Sequence, residues 1–181
     1  KDFNKETGSI SKSNILTLDK KKAKQLAEEF LESRWKVGNI DQKPITQNPY
    51  PPFITSTLQQ EGIRKLRMSS QQVMRTAQYL YEEGYITYMR TDSVSLSSEA
   101  IKASRNVIDS RYGNEYLPEK PRTFKNKVKN AQEAHEAIRP AGSSFKTPDE
   151  LKNKLDDQQW KLYNLIWKRT LASQMKSAKL Q

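Results

Sequence analysis

The spacing of apolar positions changes several times along the chain, and each change predicts an element. Ala23, Leu26, Ala27, Phe30 and Leu31 fall at i, i+3, i+4, i+7 and i+8 with lysine and glutamate between them. That spacing predicts a helix with one apolar stripe. Asp19 or Thr17 can cap its start. Ile15-Leu16-Thr17-Leu18, just before it, reads as a strand end. From Trp35 to Thr46 the pattern is extended, with Trp35, Val37 and Ile45 as its apolar points. Pro49, Pro51 and Pro52 then stiffen the chain, because each proline fixes its own φ and restricts its predecessor. A domain boundary is expected there, with residues 1–48 on one side and 49–176 on the other.

Beyond the joint, Thr55-Ser56-Thr57-Leu58-Gln59-Gln60 has the Ser/Thr-to-Gln spacing of a capping box, which predicts a helix to about Leu66. Ser69 or Ser70 caps a second helix whose buried stripe is Val73, Ala77, Leu80 and Tyr81, and Gly84 ends it. Tyr85-Ile86-Thr87-Tyr88-Met89 is β-prone. Helix, short turn, helix, strand is the order of a winged helix-turn-helix. Ser97 is the expected N-cap of the next helix, with Leu96 and Ile101 as its hydrophobic staple, and that helix ends near Gly113. Asn130 and Glu133 form a cap pair before a short helix ending at Pro140. Thr147-Pro148-Asp149-Glu150 opens the last helical region. Trp160, Tyr163, Trp167 and Leu171 line one face there, as core rather than as a base-stacking platform. The expected fold is mainly α, with minor β around Tyr88 and in the N-terminal arm.

Composition narrows the function. There is no cysteine, which excludes disulfides and thiolate metal sites. One histidine and no cluster of spaced carboxylates leave no self-contained metal site. No apolar run approaches the roughly 20 residues that span a bilayer, and no signal peptide is visible, so a cytoplasmic protein is expected. The net charge of +11 points to nucleic acid, since a cationic surface gains by displacing counterions from phosphates. Lys120, Arg122, Lys125, Lys127 and Lys129 crowd a loop over residues 118–130, opposed only by Glu119. The loop reads either as a solvated connector or as a phosphate-binding strip.

Two stretches carry candidate chemistry. In Gly84-Tyr85-Ile86-Thr87-Tyr88-Met89-Arg90-Thr91-Asp92-Ser93, an extended backbone would put Ile86, Tyr88, Arg90 and Asp92 on one side. Tyr88, rather than Tyr85, then has a cation two positions on. A neutral phenol is a poor nucleophile, with pKa about 10. A neighbouring guanidinium favours the phenolate and can hold phosphate oxygens. The second stretch is Gln132-Glu133-Ala134-His135-Glu136-Ala137-Ile138-Arg139-Pro140. On a helix, His135 and Arg139 would be i, i+4 neighbours facing a phosphate, with Glu136 turned aside.

Together these stretches resemble a known family. Pro52-Phe53-Ile54-Thr55-Ser56-Thr57-Leu58-Gln59-Gln60 is similar to the segment that opens the tyrosine-bearing domain of type IA DNA topoisomerases. The segment from Gly84 to Ser93 resembles their active-site motif, and Glu133 to Pro140 their histidine motif. Leu162-Tyr163-Asn164-Leu165-Ile166-Trp167-Lys168-Arg169 is similar to the helix that closes that domain. Met89 and the sequence from His135 to Pro140 look like the bacterial topoisomerase I branch. The resemblance implies that Tyr88 forms a 5′-phosphotyrosyl link and that Arg90 contacts the scissile phosphate. It also implies that His135 supports the phosphate through Asp92 and that Arg139 touches the DNA backbone. It implies a winged-helix-like, CAP-like tyrosine domain over residues 49–176. Residues 1–48 would be an incomplete piece of the β-rich hinge, to which residues 177–181 return. The family's Mg²⁺ belongs to an acidic toprim domain of which this sequence shows no trace, so the chain is expected to be a fragment that holds no metal itself. Its partners would be single-stranded or negatively supercoiled DNA and the remaining domains of the parent, and it would be a monomer. The rival reading is a non-catalytic winged-helix module reading duplex DNA with Gln71, Gln72, Arg75 and Gln78.

Overall fold

The computed structural model describes residues 18–124 and 136–180. The chain divides into two compact units after Gln42.

In the first unit, α1 (Lys20–Glu32) starts where Asp19 accepts a hydrogen bond from the Lys22 amide at 2.8 Å. Its apolar stripe forms as the spacing predicts, yet no residue of α1 is buried. The ring of Trp35 meets Phe30 edge-on, and its indole N–H donates to the Phe30 carbonyl.

The second unit holds the core. Its helices are α2 (Thr55–Leu66), α3 (Ser70–Glu82), α4 (Ser98–Tyr112), α5 (Pro148–Leu151) and α6 (Asp157–Ser173), with a 3-10 turn at Asn114–Tyr116. Two short strands, β1 (Ile45–Gln47) and β2 (Ala178–Leu180), pair antiparallel with Ile45 opposite Leu180. Sequence-local chemistry sets most helix starts. Ser69 and Gln72 make a reciprocal capping box at α3, Asp156 and Gln159 one at α6, and Ser97 accepts from the Ala100 amide at α4. At α2 the expected box is only half built. Ile54 is the N-cap, and only its amide is served, by the Thr57 hydroxyl at 3.0 Å.

α2 and α3 approach closely because Gly62 has no side chain: a Cβ there would sit 2.6 Å from Cγ2 of Val73. α6 is the central pillar, burying Leu162, Tyr163, Ile166, Trp167 and Leu171 against α3, α2, α4 and α5. Burial pushes the Tyr163 phenol up, so it stays neutral and donates to the Lys146 carbonyl at 2.6 Å. Tyr81, expected in the buried stripe of α3, is 41% exposed, so that stripe ends at Leu80.

Two regular elements expected from the sequence are absent among the described residues. The segment after Gly84 is not a strand but an irregular run in which the described residues form one isolated β-bridge, Ile86 to Pro140. The expected helix ending at Pro140 is extended over residues 136–140. The amides of Ala137, Ile138 and Arg139 bond to Ser95 O, Phe53 O and Thr87 Oγ1. Proline at 140 disfavours a helical Arg139, and three outside acceptors supply what a helix would have.

Candidate active site around Tyr88

The turn that delivers the tyrosine is built at the end of α3. Gly84 takes φ +69°, its amide bonds to Tyr81 O at 2.9 Å, and the Tyr85 amide bonds to Leu80 O at 2.8 Å. This is a Schellman stop, which needs a residue free to enter the left-handed region.

Two threonines then clamp the segment on either side of Tyr88. Thr87 donates its amide to Arg139 O at 2.9 Å and its hydroxyl to Ala137 O at 2.7 Å, and its hydroxyl accepts from the Arg139 amide at 3.0 Å. Thr55, in the first turn of α2, directs its hydroxyl at Met89 O (2.8 Å) and Thr91 O (3.0 Å), and accepts from the Thr91 amide. The segment's backbone is thus met by the Thr55 hydroxyl at Met89 and Thr91 and by the Arg139 carbonyl at Thr87, while the Thr87 hydroxyl in turn serves the backbone of Ala137 and Arg139.

Between these clamps the chain alternates. Met89, Thr91 and Ser93 are buried, while Tyr88, Arg90 and Asp92 are exposed. Tyr88, 46% exposed, meets Tyr81 edge-on with centroids 5.1 Å apart. Among the described residues no hydrogen bond or ion pair engages the Tyr88 hydroxyl, the Arg90 guanidinium or the Asp92 carboxylate. The period-2 expectation therefore holds for Tyr88, Arg90 and Asp92 but fails for Ile86. Ile86 is 2% exposed, because the chain leaves the Gly84 turn inward before the alternation begins. Tyr85 is a packing residue, half-buried, edge-on to Tyr163 and under the Lys146 ammonium.

Arg139 has a different occupation from the DNA contact expected of it. It is 6% exposed. Its Nε and Nη2 donate to Glu136 Oε2 at 3.2 and 2.7 Å, and its Nη1 donates to the carbonyls of Pro140 and Gly142. Glu136, expected to be turned aside, is the partner that holds it. The other carboxylate oxygen of Glu136 accepts from the Ser97 amide at 2.6 Å, at the start of α4. Burial raises the Glu136 carboxyl, but the bonds from Arg139 and Ser97 outweigh it and hold the group below its ordinary value. The i, i+3 spacing of Glu136 and Arg139 is a signal that could have suggested the pair; the Ser97 amide, far along the chain, left no such sign. Thr55 and Thr87 were equally invisible as clamps, although both lie inside the quoted motifs.

Among the basic-loop residues, Lys120 is exposed, whereas Arg122 is tied inward, donating to Met175 O and Ser177 Oγ. Lys125, Lys127, Lys129 and His135 lie outside the described residues, as do the Asn130 and Glu133 cap pair. Two of the four side chains proposed for duplex reading are committed: Gln72 to the α3 cap and Gln78 to Glu82 at 2.6 Å. Among the described residues no three histidine or acidic side chains gather as a metal site. No helix among them is long and apolar enough to cross a membrane.

The chain that carries this exposed tyrosine segment is similar to known proteins along nearly all of its length. A family model described as DNA topoisomerase matches residues 2–181. The chain is 51% identical, over 98% of its length, to DNA topoisomerase 1 of Synechococcus elongatus, and covers 20% of that protein. It is 54% identical, over 91% of its length, to DNA topoisomerase 1 of Mycolicibacterium smegmatis, covering 18% of it. It thus spans about a fifth of the length of these relatives. The structure of full-length topoisomerase I from Thermotoga maritima matches with a TM-score of 0.67 at 36% identity, over 93% of this chain and 27% of that one. The chain belongs to the bacterial, type IA family of DNA topoisomerases.

Proposed function

We propose that this chain is the tyrosine-bearing part of an enzyme that cuts and rejoins one DNA strand, relaxing negatively supercoiled DNA in the bacterial cytoplasm. The observation that carries the reading is the exposed row of Tyr88, Arg90 and Asp92, projecting from backbone clamped by Thr55 and Thr87. In the proposed step the Tyr88 oxygen loses its proton and attacks the scissile phosphorus. The Tyr–O–P bond forms, the bond to the 3′ oxygen breaks, and that oxygen takes up a proton. Arg90 holds the non-bridging oxygens where charge grows. His135 supports the same phosphate through Asp92. Resealing is the reverse, with the 3′ hydroxyl displacing the tyrosine. The covalent link conserves the phosphodiester energy, so no nucleotide is consumed. α2, the short turn and α3 act as the helix pair of a winged-helix-like scaffold, with residues 49–176 as the tyrosine domain and 1–48 and 177–181 as hinge. The chain alone binds DNA as a monomer without cutting it, since the Mg²⁺-binding toprim domain lies elsewhere in the parent.

Tyr88→Phe in the full-length parent should abolish protein-linked DNA after denaturation while leaving DNA binding nearly intact. Tyr85→Phe, at the half-buried ring, is the control. Adducts of normal yield from Tyr88→Phe would refute the assignment.

A further inference from the structure

α6 has a second face that the tyrosine site does not use. Lys161, Asn164, Leu165, Lys168, Arg169 and Ala172 recur at helical spacing opposite the core-facing row. With Lys65 and Leu66 from the end of α2 they line an open groove of about 440 Å³. A second hollow of about 240 Å³ shares Arg169 and Ala172 and extends the groove to Tyr50 and Lys176. Neither lining includes a carboxylate. Lys65 and Lys161 each pair with an acid on their own helix, Glu61 and Asp157. Glu61 is also shared by Arg64 and Arg169, three cations around one carboxylate. Lys168 and Lys176 are exposed and have no ion pair among the described residues.

Lysines on a solvated helix face would mean little by themselves. The second observation is Tyr50. Its ring is 65% exposed, yet it is braced: the Arg169 guanidinium lies 5.2 Å from its centroid and 4.2 Å from that of the buried Phe53. Arg169 is in turn fixed by donating to Pro51 O at 3.3 Å. An aromatic ring held in place, open to solvent and flanked by unpaired lysines combines the two requirements of a single-strand site. Those are a π-face for a base and a cationic track for the phosphates.

We propose that this groove binds single-stranded nucleic acid apart from the tyrosine row, with a base stacked on Tyr50 and the backbone running past Lys168 along α6. The inference rests on the reading that the chain handles DNA, and it adds a second contact surface to it. The test is fluorescence anisotropy of a labelled oligothymidylate against the 181-residue chain at several salt concentrations. Lys168→Glu should weaken binding several-fold and lower the salt slope by about 0.7, the single-strand value per phosphate contact. Tyr50→Leu should weaken it about fivefold or more while leaving the slope unchanged. Lys102→Glu on α4, with the same change of net charge, should do much less. Equal losses from Lys102→Glu and Lys168→Glu, or no loss from Tyr50→Leu, would overturn the site. A direct check on the unaltered chain is photocrosslinking with an oligonucleotide bearing 5-iododeoxyuridine. A crosslink in the peptide containing Tyr50 supports the site, and crosslinks only elsewhere refute it. These outcomes are separate from adduct formation by Tyr88 in the parent, so either reading can fail alone.

Discussion

Replacing Glu136 by alanine should be the most informative single change near the site. The carboxylate serves three donors: the Ser97 amide at 2.6 Å and two nitrogens of Arg139 at 2.7 and 3.2 Å. Its removal leaves a guanidinium whose side chain is only 7% exposed with two carbonyls and no counter-charge. Breaking a fully buried pair from one side costs about 3–5 kcal/mol. The Glu136 side chain is 30% exposed, so water can reach part of the vacated space and the expected loss is lower, about 2–3 kcal/mol. A domain of this size has about 5–15 kcal/mol to lose, so it should still fold at 25 °C. Glu136→Gln has one acceptor oxygen, enough for the Ser97 amide or for Arg139 but not both, and its NH2 then faces the other donor, so it should cost nearly as much as alanine. Urea denaturation followed by tryptophan fluorescence measures both. The pH dependence supplies a sign. A carboxyl held below its ordinary value of 4.5 stabilises the fold above that pH, and the contribution fades as pH falls through the folded value. The gap between the unaltered chain and Glu136→Gln should therefore close as pH drops below about 4.5. An alanine variant within about 0.5 kcal/mol of the parent chain, or a gap unchanged down to pH 3, would refute the clasp.

Arg90→Ala in the full-length parent should slow cleavage by about 2–4 kcal/mol in barrier while weakening DNA binding much less, as single-turnover adduct assays would measure. Equal losses in both would make Arg90 a simple anchor. Gly62→Ala should destabilise by about 1 kcal/mol net. The helix gains about 1 kcal/mol of propensity, but a Cβ 2.6 Å from the stiff, buried Val73 brings an overpacking cost of about 1–3 kcal/mol. A thermal melt showing stabilisation would mean that α2 and α3 separate at little cost.

The helices were legible because each carries its own evidence. Ser69, Ser97 with its staple and the run from Thr147 to Glu150 announce starts, and the apolar spacing of α6 announces its buried face, whereas the separate start of α6 at Asp156 is not part of that reading. The tyrosine segment and residues 136–140 were misjudged for one shared reason. Both have local patterns that fit a regular element, yet their backbone partners lie far along the chain. Thr55 meets Thr91 across 36 residues and Thr87 meets Arg139 across 52. No local spacing encodes such pairs, and a helix or strand is only the default when no distant partner competes. The same irregularity bears on the site. A true strand at Tyr88 would spend its amides and carbonyls on a neighbouring strand. Here the Thr55 hydroxyl and the Arg139 carbonyl serve the backbone on either side of Tyr88 instead, and the alternation that starts at Tyr88 leaves one exposed row of side chains with no hydrogen bond or ion pair among the described residues. A segment held in this way can be fixed beneath and open above, which is what the nucleophile proposed at Tyr88 needs in order to meet a DNA phosphate.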